Sequence, residues 1–313
     1  MFRSILVPLD GSEFAEEAIP LALSIATRAG ASLELLRVHE LYALHDPHAC
    51  WSPYEPTEDA KFRAKEQAYL DTTVKRLQTT ASIPVTSALV DGLIEDAILE
   101  RVETRLPDLI VMATHGRGPL SRFCFGSVAE KLILDGLAPI LLVHPGKTRN
   151  GQRPKPAFKR ILIPLDGSEL AERVLKPAIA IGSLMGADCT LIQTVGASSL
   201  LDGFATAADP RAIEDGCEQR RATARAYLNR VAERLRAEGL CARTRVVSGK
   251  SPAVAVLDVA RGEDINLITL AMRGHGALRR LIFGSVAESI AWHSTGPVLV
   301  YCPRQNEYVL NEK

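Results

Sequence analysis

The 313-residue chain lacks any net formal charge, because 37 Lys and Arg balance 37 Asp and Glu. That balance argues against a molecule held to nucleic acid or to an anionic membrane by bulk electrostatics, although it leaves room for a local basic patch. No apolar run approaches the ~20 residues of a membrane span. The opening "MFRSILVPLD" breaks at Pro8 and Asp10, so it is too short for a signal-peptide core and has no small-residue cleavage site. The cysteines (Cys50, Cys124, Cys189, Cys217, Cys241, Cys302) form no C-x-x-C pair. They read as reduced thiols of a cytoplasmic protein, several of them buried, and not as a disulfide framework. Catalytic signatures are missing too. There is no G-x-x-x-x-G-K-[ST] loop, no G-x-S-x-G elbow and no S-G-G-x-x-S run. No nucleophile–base–acid set recurs along the chain, so the expectation is a protein that is not an enzyme.

What is present is a duplication. "FRSILVPLDGSEFAEEAI" at 2–19 matches "FKRILIPLDGSELAERVL" at 158–175 with 11 identities in 18 positions. Asp10 maps to Asp166, Gly92 to Gly249 and Gly126 to Gly284, at offsets of 156, 157 and 158. Two domains are expected, at 1–146 and 158–305, with a linker at 147–157 and a tail at 306–313. The join lies in "HPGKTRNGQRPKPAFKR", which is basic, holds three prolines and two glycines, and has no apolar period.

Within each half, strand and helix signals alternate. "SILVPL", "SLELLRVHE", "PVTSALV", "DLIVMAT" and "PILLVHP" read as strands in the first half, and "RILIPL", "CTLIQTV", "RTRVVS", "NLITLAM" and "PVLVYCP" in the second. Helices are expected over 12–30, where Ser12 caps, Ala15, Ala18, Ile19, Ala22 and Ile25 form a stripe, Pro20 bends the pattern and Gly30 ends it. Others are expected over about 57–80, 92–105 and 126–136. Strands joined by helices imply a parallel sheet covered on both faces.

In such a sheet, ligands bind beyond the carboxyl ends of the strands, where the strand order reverses. Three repeated features fall there: Asp10-Gly11-Ser12 and Asp166-Gly167-Ser168 after the first strand, Ala113-x2-Gly116 and Ala271-x2-Gly274 after the fourth, and Gly126-Ser127 and Gly284-Ser285 before the last helix. A helix start offers free N–H groups, glycine lets a phosphate reach the backbone, and Ser adds a donor. A Gly-Ser pair can also be only a turn and a cap. Its recurrence in the same context favours a phosphate cradle.

The whole chain resembles a tandem universal stress protein. Nucleotide-binding members of that family carry Gly-x2-Gly-x9-Gly-[Ser/Thr] after the fourth strand and Pro-x-Asp at the first. Both halves have Pro-Leu-Asp (Pro8 to Asp10, Pro164 to Asp166) and Gly-x9-Gly-Ser. They depart from the pattern at Ala113 and Ala271, where alanine disfavours positive φ. The resemblance implies two Rossmann-like, doubly wound α/β domains, each with a five-stranded parallel sheet of order 3-2-1-4-5 flanked by helices, related by pseudo-two-fold symmetry. It implies a stress-response sensor or regulator binding ATP, AMP or ADP, with Mg²⁺ held mainly by phosphates and water. Asp10 and Asp166 would approach the adenine or ribose. Val38 and Val195 would offer backbone groups to adenine. Gly92 and Gly249 would let the backbone pass near the ligand. Phosphates would rest on Gly116, Gly126, Ser127 and Val128, and on Gly274, Gly284, Ser285 and Val286. The rival readings are a nucleotide-free scaffold of the same fold and a slow ATPase.

"VHELYALHDPHACW" places His39, His45, His48 and Cys50 together in a spacing that fits no common zinc signature. Its two readings are a metal site and a lid with exposed histidines beside the adenine pocket. Arg122, Arg279 and Arg280 are expected in solvent, and Arg117 is left open between solvent and a phosphate. Lys250 and Ser251 stand where the first half has Leu93 and Ile94, giving the second site a more positive rim. The last strand of each half, apolar on both faces, is expected at a sheet edge. Family members pair it antiparallel across a two-fold axis, so strands 139–144 and 297–302 are expected to pair within one chain. Protein partners are implied but not identified.

Overall fold

Ile5, Leu6 and Val7 follow one another in sequence and all three are buried, so the first strand is covered on both faces. The computed structural model describes residues 2–40, 56–114, 126–144, 157–196, 210–272 and 285–302. The chain divides into two units, residues 1–157 with 302–313, and residues 158–301.

The first unit contains β1 (Ser4–Pro8), β2 (Ser32–His39), β3 (Val85–Asp91), β4 (Leu109–Ala113) and β5 (Ile140–Val143). Their order is β3-β2-β1-β4-β5, with every neighbouring pair parallel. The second unit contains β6 (Arg160–Pro164), β7 (Asp188–Val195), β8 (Ala242–Ser248), β9 (Leu267–Ala271) and β10 (Val298–Tyr301). Their order is β8-β7-β6-β9-β10, again parallel throughout. Each unit is therefore a 3-2-1-4-5 doubly wound sheet flanked by helices, as the resemblance implies.

The expected helix over 12–30 is two helices. α1 (Glu13–Glu16) and α2 (Ile19–Ala29) are separated at Glu17 and Ala18. Pro20 lies in the first turn of α2, where a missing N–H is of no consequence, so it starts a helix instead of bending one. The stripe is buried as expected, and Gly30 ends α2 at φ 65° in the left-handed region. The remaining helices of this unit are α3 (Pro56–Gln78), α4 (Ile94–Arg105) and α5 (Ser127–Asp135). The second unit has α6 (Glu169–Glu172), α7 (Leu175–Met185), α8 (Pro210–Ala237), α9 (Pro252–Gly262) and α10 (Ser285–His293). No described helix is long and apolar enough to cross a membrane.

The thiols partly match expectation: Cys189 and Cys302 are buried, Cys217 is half-buried and Cys241 exposed. His39 corrects the exposed-lid reading for its own position. It is the last residue of β2 and only 4% exposed. His45, His48, Cys50 and Cys124 lie outside the described residues.

Candidate functional site

β1 and β4 are neighbours whose connections leave in opposite directions, so a crevice opens beyond their carboxyl ends. In the first unit it is a cleft of about 820 Å³. Pro8, Asp10, Val38, Ala113, Gly126, Ser127 and Val128, all singled out from sequence, line it together. Gly92 does not, although its N–H donates to the His39 carbonyl at 3.2 Å and so ties β3 to the end of β2. Gly116, Arg117 and Arg122 lie outside the described residues, as do Gly274, Gly284, Arg279 and Arg280 of the second unit.

Two helix starts face this crevice, and they differ. At α1, the Ser12 side chain accepts the Ala15 N–H at 3.2 Å, and Asp10 Oδ1 accepts both the Ser12 N–H at 2.8 Å and its hydroxyl at 2.6 Å. Asp166 and Ser168 repeat this at 2.9 and 2.6 Å. That start is closed by its own side chains. The start of α5 is open. Its N-cap is Gly126, which supplies no side-chain bond, so the N–H groups of Ser127, Val128 and Ala129 lack helical partners. The Gly126 N–H donates to the Thr114 carbonyl at 3.1 Å, which holds the turn at the end of β4. Nothing in the backbone calls for glycine here. Its φ of −64° and ψ of 156° suit any residue. Among the described residues an added Cβ would meet only the Thr114 oxygen, at 3.5 Å, an ordinary contact.

Alanine at the first motif position carries no strain. Ala113 and Ala271 end β4 and β9 in register with Val143 and Tyr301, and neither has positive φ.

At the other end of the cleft, the Leu9 N–H donates to the Leu36 carbonyl at 2.7 Å, while β1 ends at Pro8. Alternate residues of a strand present their N–H and C=O to opposite neighbours. Val38 therefore turns both groups toward the side where β1 has ended, a donor and an acceptor that no strand takes up among the described residues. The second unit corrects the expectation for Val195. The Leu165 N–H donates to the Ile192 carbonyl at 2.8 Å, so Thr194 turns toward the open side. Val195 pairs with Ser248 of β8 and stands at the register position of His39. Matching the two valines by identity slips the strand by one residue, which reverses the direction of its backbone groups.

The far wall comes from α3, through Phe62, Lys65, Glu66 and Tyr69, and sequence reading missed it. Glu66 joins Arg37 at 2.8 Å and His39 Nδ1 at 2.7 Å, and His39 Nε2 lies 3.4 Å from Asp59. The Arg37 guanidinium lies 5.6 Å from the Tyr69 ring centroid. Burial, and then the Glu16 carboxylate, push the Tyr69 phenol above its ordinary range. Arg76 holds Glu16 at 2.7 Å. Tyr227 and Arg234 of α8 repeat this trio with Glu172 of α6, and the Tyr227 phenol is raised for the same reasons. That recurrence was the available signal, since Tyr69 and Tyr227 sit at the offset that relates Gly126 to Gly284.

The universal stress protein family model matches the chain twice, over residues 1–144 and 157–301. A universal stress protein of Mycolicibacterium smegmatis is 24% identical over 310 residues, covering 96% of this chain and 97% of that one. One from Thermus aquaticus is 31% identical over 145 residues, 46% of this chain and 100% of its own, so its full length corresponds to one half here. A solved universal stress protein from Archaeoglobus fulgidus has a TM-score of 0.68 at 21% identity over 97% of each chain, a likeness of fold.

Proposed function

The chain belongs to the universal stress protein family, and from that premise we propose that it binds an adenine nucleotide (ATP, ADP or AMP) and acts as a nucleotide-dependent regulator, not as an enzyme. The observation that carries this reading is the open start of α5. Gly126 is required neither by its φ and ψ nor by the described residues around it, yet it stands where a Ser, Thr or Asp would cap the helix better. A glycine that gives up a cap leaves room for a ligand to take its place. The N–H groups of Ser127, Val128 and Ala129 would hold phosphate with help from the helix dipole. Val38 would meet the base with its open N–H and C=O, and the cleft of about 820 Å³ is ample for both.

Among the described residues, no group of three or more His, Cys, Asp or Glu is placed to hold a metal ion. In this reading Mg²⁺ arrives on the phosphates, where it would offset their charge. The protein's own part is to bind, orient and report.

Mass spectrometry of small molecules released from the purified chain, followed by calorimetric titration with ATP, tests the reading. Retained or titrated adenine nucleotide without time-dependent ADP formation is the expected result. A chain that retains none and gives no heat with ATP, ADP or AMP is the nucleotide-free scaffold instead.

A further inference from the structure

At the phosphate end of the first cleft, the Ser127 hydroxyl donates to Glu95 Oε1 at 2.6 Å. The hydroxyl expected to face a phosphate is thus turned to a carboxylate. The sequence of α4 explains why acid is there. Its N-cap, Leu93, offers no side-chain bond, and Glu95 and Asp96 place negative charge in the uncapped first turn. Asp96 is matched by Lys131. Glu95 faces the neutral Ser127 beside the open start of α5.

The second half lacks this carboxylate. The Ala97 N–H donates to the Leu93 carbonyl at 2.9 Å, and the Ala255 N–H to the Ser251 carbonyl at 3.0 Å, which aligns Leu93 with Ser251. Glu95 and Asp96 then correspond to Ala253 and Val254. Lys250 is an extra residue between Gly249 and that cap, so it does not replace Leu93, and its ammonium is paired with Asp258.

We propose that Glu95 determines the phosphate-chain preference of the first site, disfavouring polyphosphates, and that the second site, with Ala253 in its place, takes them more readily. This rests on the nucleotide reading above. A phosphate seated on the α5 N–H groups must displace Glu95 from Ser127 or lie against its charge. The repulsion grows with each phosphate and is absent for the nucleoside. The two halves therefore report on differently phosphorylated ligands of one chemical class.

The test is calorimetric titration of the full chain with adenosine, AMP and ATP in EDTA, so that no divalent cation masks phosphate charge. Glu95→Gln keeps the shape and the acceptor for Ser127 but removes the charge. It should tighten ATP at one site about tenfold while leaving adenosine within about twofold. Ala253→Glu should do the reverse at the other site. An ATP-to-adenosine affinity ratio that Glu95→Gln leaves unchanged overturns the proposal while sparing the nucleotide reading. Absence of binding by all three ligands in wild type and variant overturns both.

Discussion

The Leu9 amide and the Leu36 carbonyl, 2.7 Å apart, form the last rung between β1 and β2. Past that rung the sheet stops on one side of β2, and Val38 is the first residue whose backbone groups face the gap. In the second unit the rung is Leu165 to Ile192 and the residue is Thr194. This register makes a sharp prediction. Thr194→Pro removes an N–H that no strand uses, so it should leave stability nearly intact and weaken nucleotide at the second site. Val195→Pro removes an N–H directed at β8 and should cost roughly 1–3 kcal/mol through the unmade bond. Thr194→Ala should do neither, because only the backbone is recruited. Urea unfolding and titration of the three variants decide the matter, and a Val195→Pro protein as stable as wild type would show the register to be wrong.

Gly126 offers a second separation of folding from binding. At φ −64° and ψ 156°, with 3.5 Å from an added Cβ to the nearest atom of the described residues, a methyl group meets only ordinary contact there. Gly126→Ala should change folding stability by less than about 0.5 kcal/mol. Gly126→Val should also fold but project a branched side chain into the phosphate path. Loss of one calorimetric site in Gly126→Val, with an unchanged unfolding midpoint, is the expected pair of results. Undiminished stoichiometry would remove phosphate from this turn.

How much of this was legible beforehand depends on how local the cause is. Ser12 as a cap, Gly30 as a stop and the buried run at Ile5 to Val7 are decided within a few residues, and the sequence pattern finds them. The strand order and the choice of Pro8 came from the family resemblance, whereas Asp10 and Gly126 were singled out by the repeats at strand ends. Glu66 was invisible because α3 meets β2 only through tertiary packing, and a polar residue on a long helix normally faces water; Tyr69 was marked only by its recurrence as Tyr227. His39 was misread for a related reason: its burial depends on Glu66 and Asp59, 27 and 20 residues further along the chain. Val195 was misplaced because identity of residue type is weaker than register, and one residue of slip reverses a strand.

The charged group at the base end can be tested by using the second half as a template. Arg37 and Glu66 are 11% and 17% exposed at their side chains, and His39 is more buried still. Their counterparts, aligned through Tyr69 with Tyr227 and His39 with Val195, are Gln193, Ala224 and Val195. Glu66→Ala alone strands the Arg37 guanidinium and leaves His39 with Asp59 as its acidic neighbour, and should cost about 3 kcal/mol. The triple variant Arg37→Gln, His39→Val, Glu66→Ala installs the neutral set and should return to within about 1 kcal/mol of wild type, since a buried ionic group gains little over a packed neutral one. Denaturant midpoints of the two proteins measure the difference. Equal losses in both would mean that the ion pairs themselves stabilise the first unit.

Cys189 predicts a pH dependence with a definite sign. The side chain is fully buried in β7, and its Sγ lies 3.6 Å from where a Cβ on Gly182 of α7 would stand. Burial, reinforced by Asp188 and Cys241, pushes the thiol from an ordinary 9.0 up to about 12. The folded chain therefore keeps this proton while the unfolded chain releases it. The contribution to stability is complete below pH ~9 and is lost as pH rises toward ~12, at a rate of up to about 1.4 kcal/mol per pH unit. Cys189→Ala removes the titration and leaves a small cavity whose cost does not vary with pH. Unfolding free energies measured between pH 8 and about 10.5 should thus start lower for the variant and fall less steeply than for wild type. The half-buried tyrosines Tyr69 and Tyr227 add the same slope to both proteins, so it is the difference between the curves that isolates Cys189. Two curves that descend in parallel would mean that the thiol reaches water in the folded state and that the β7 core opens around it.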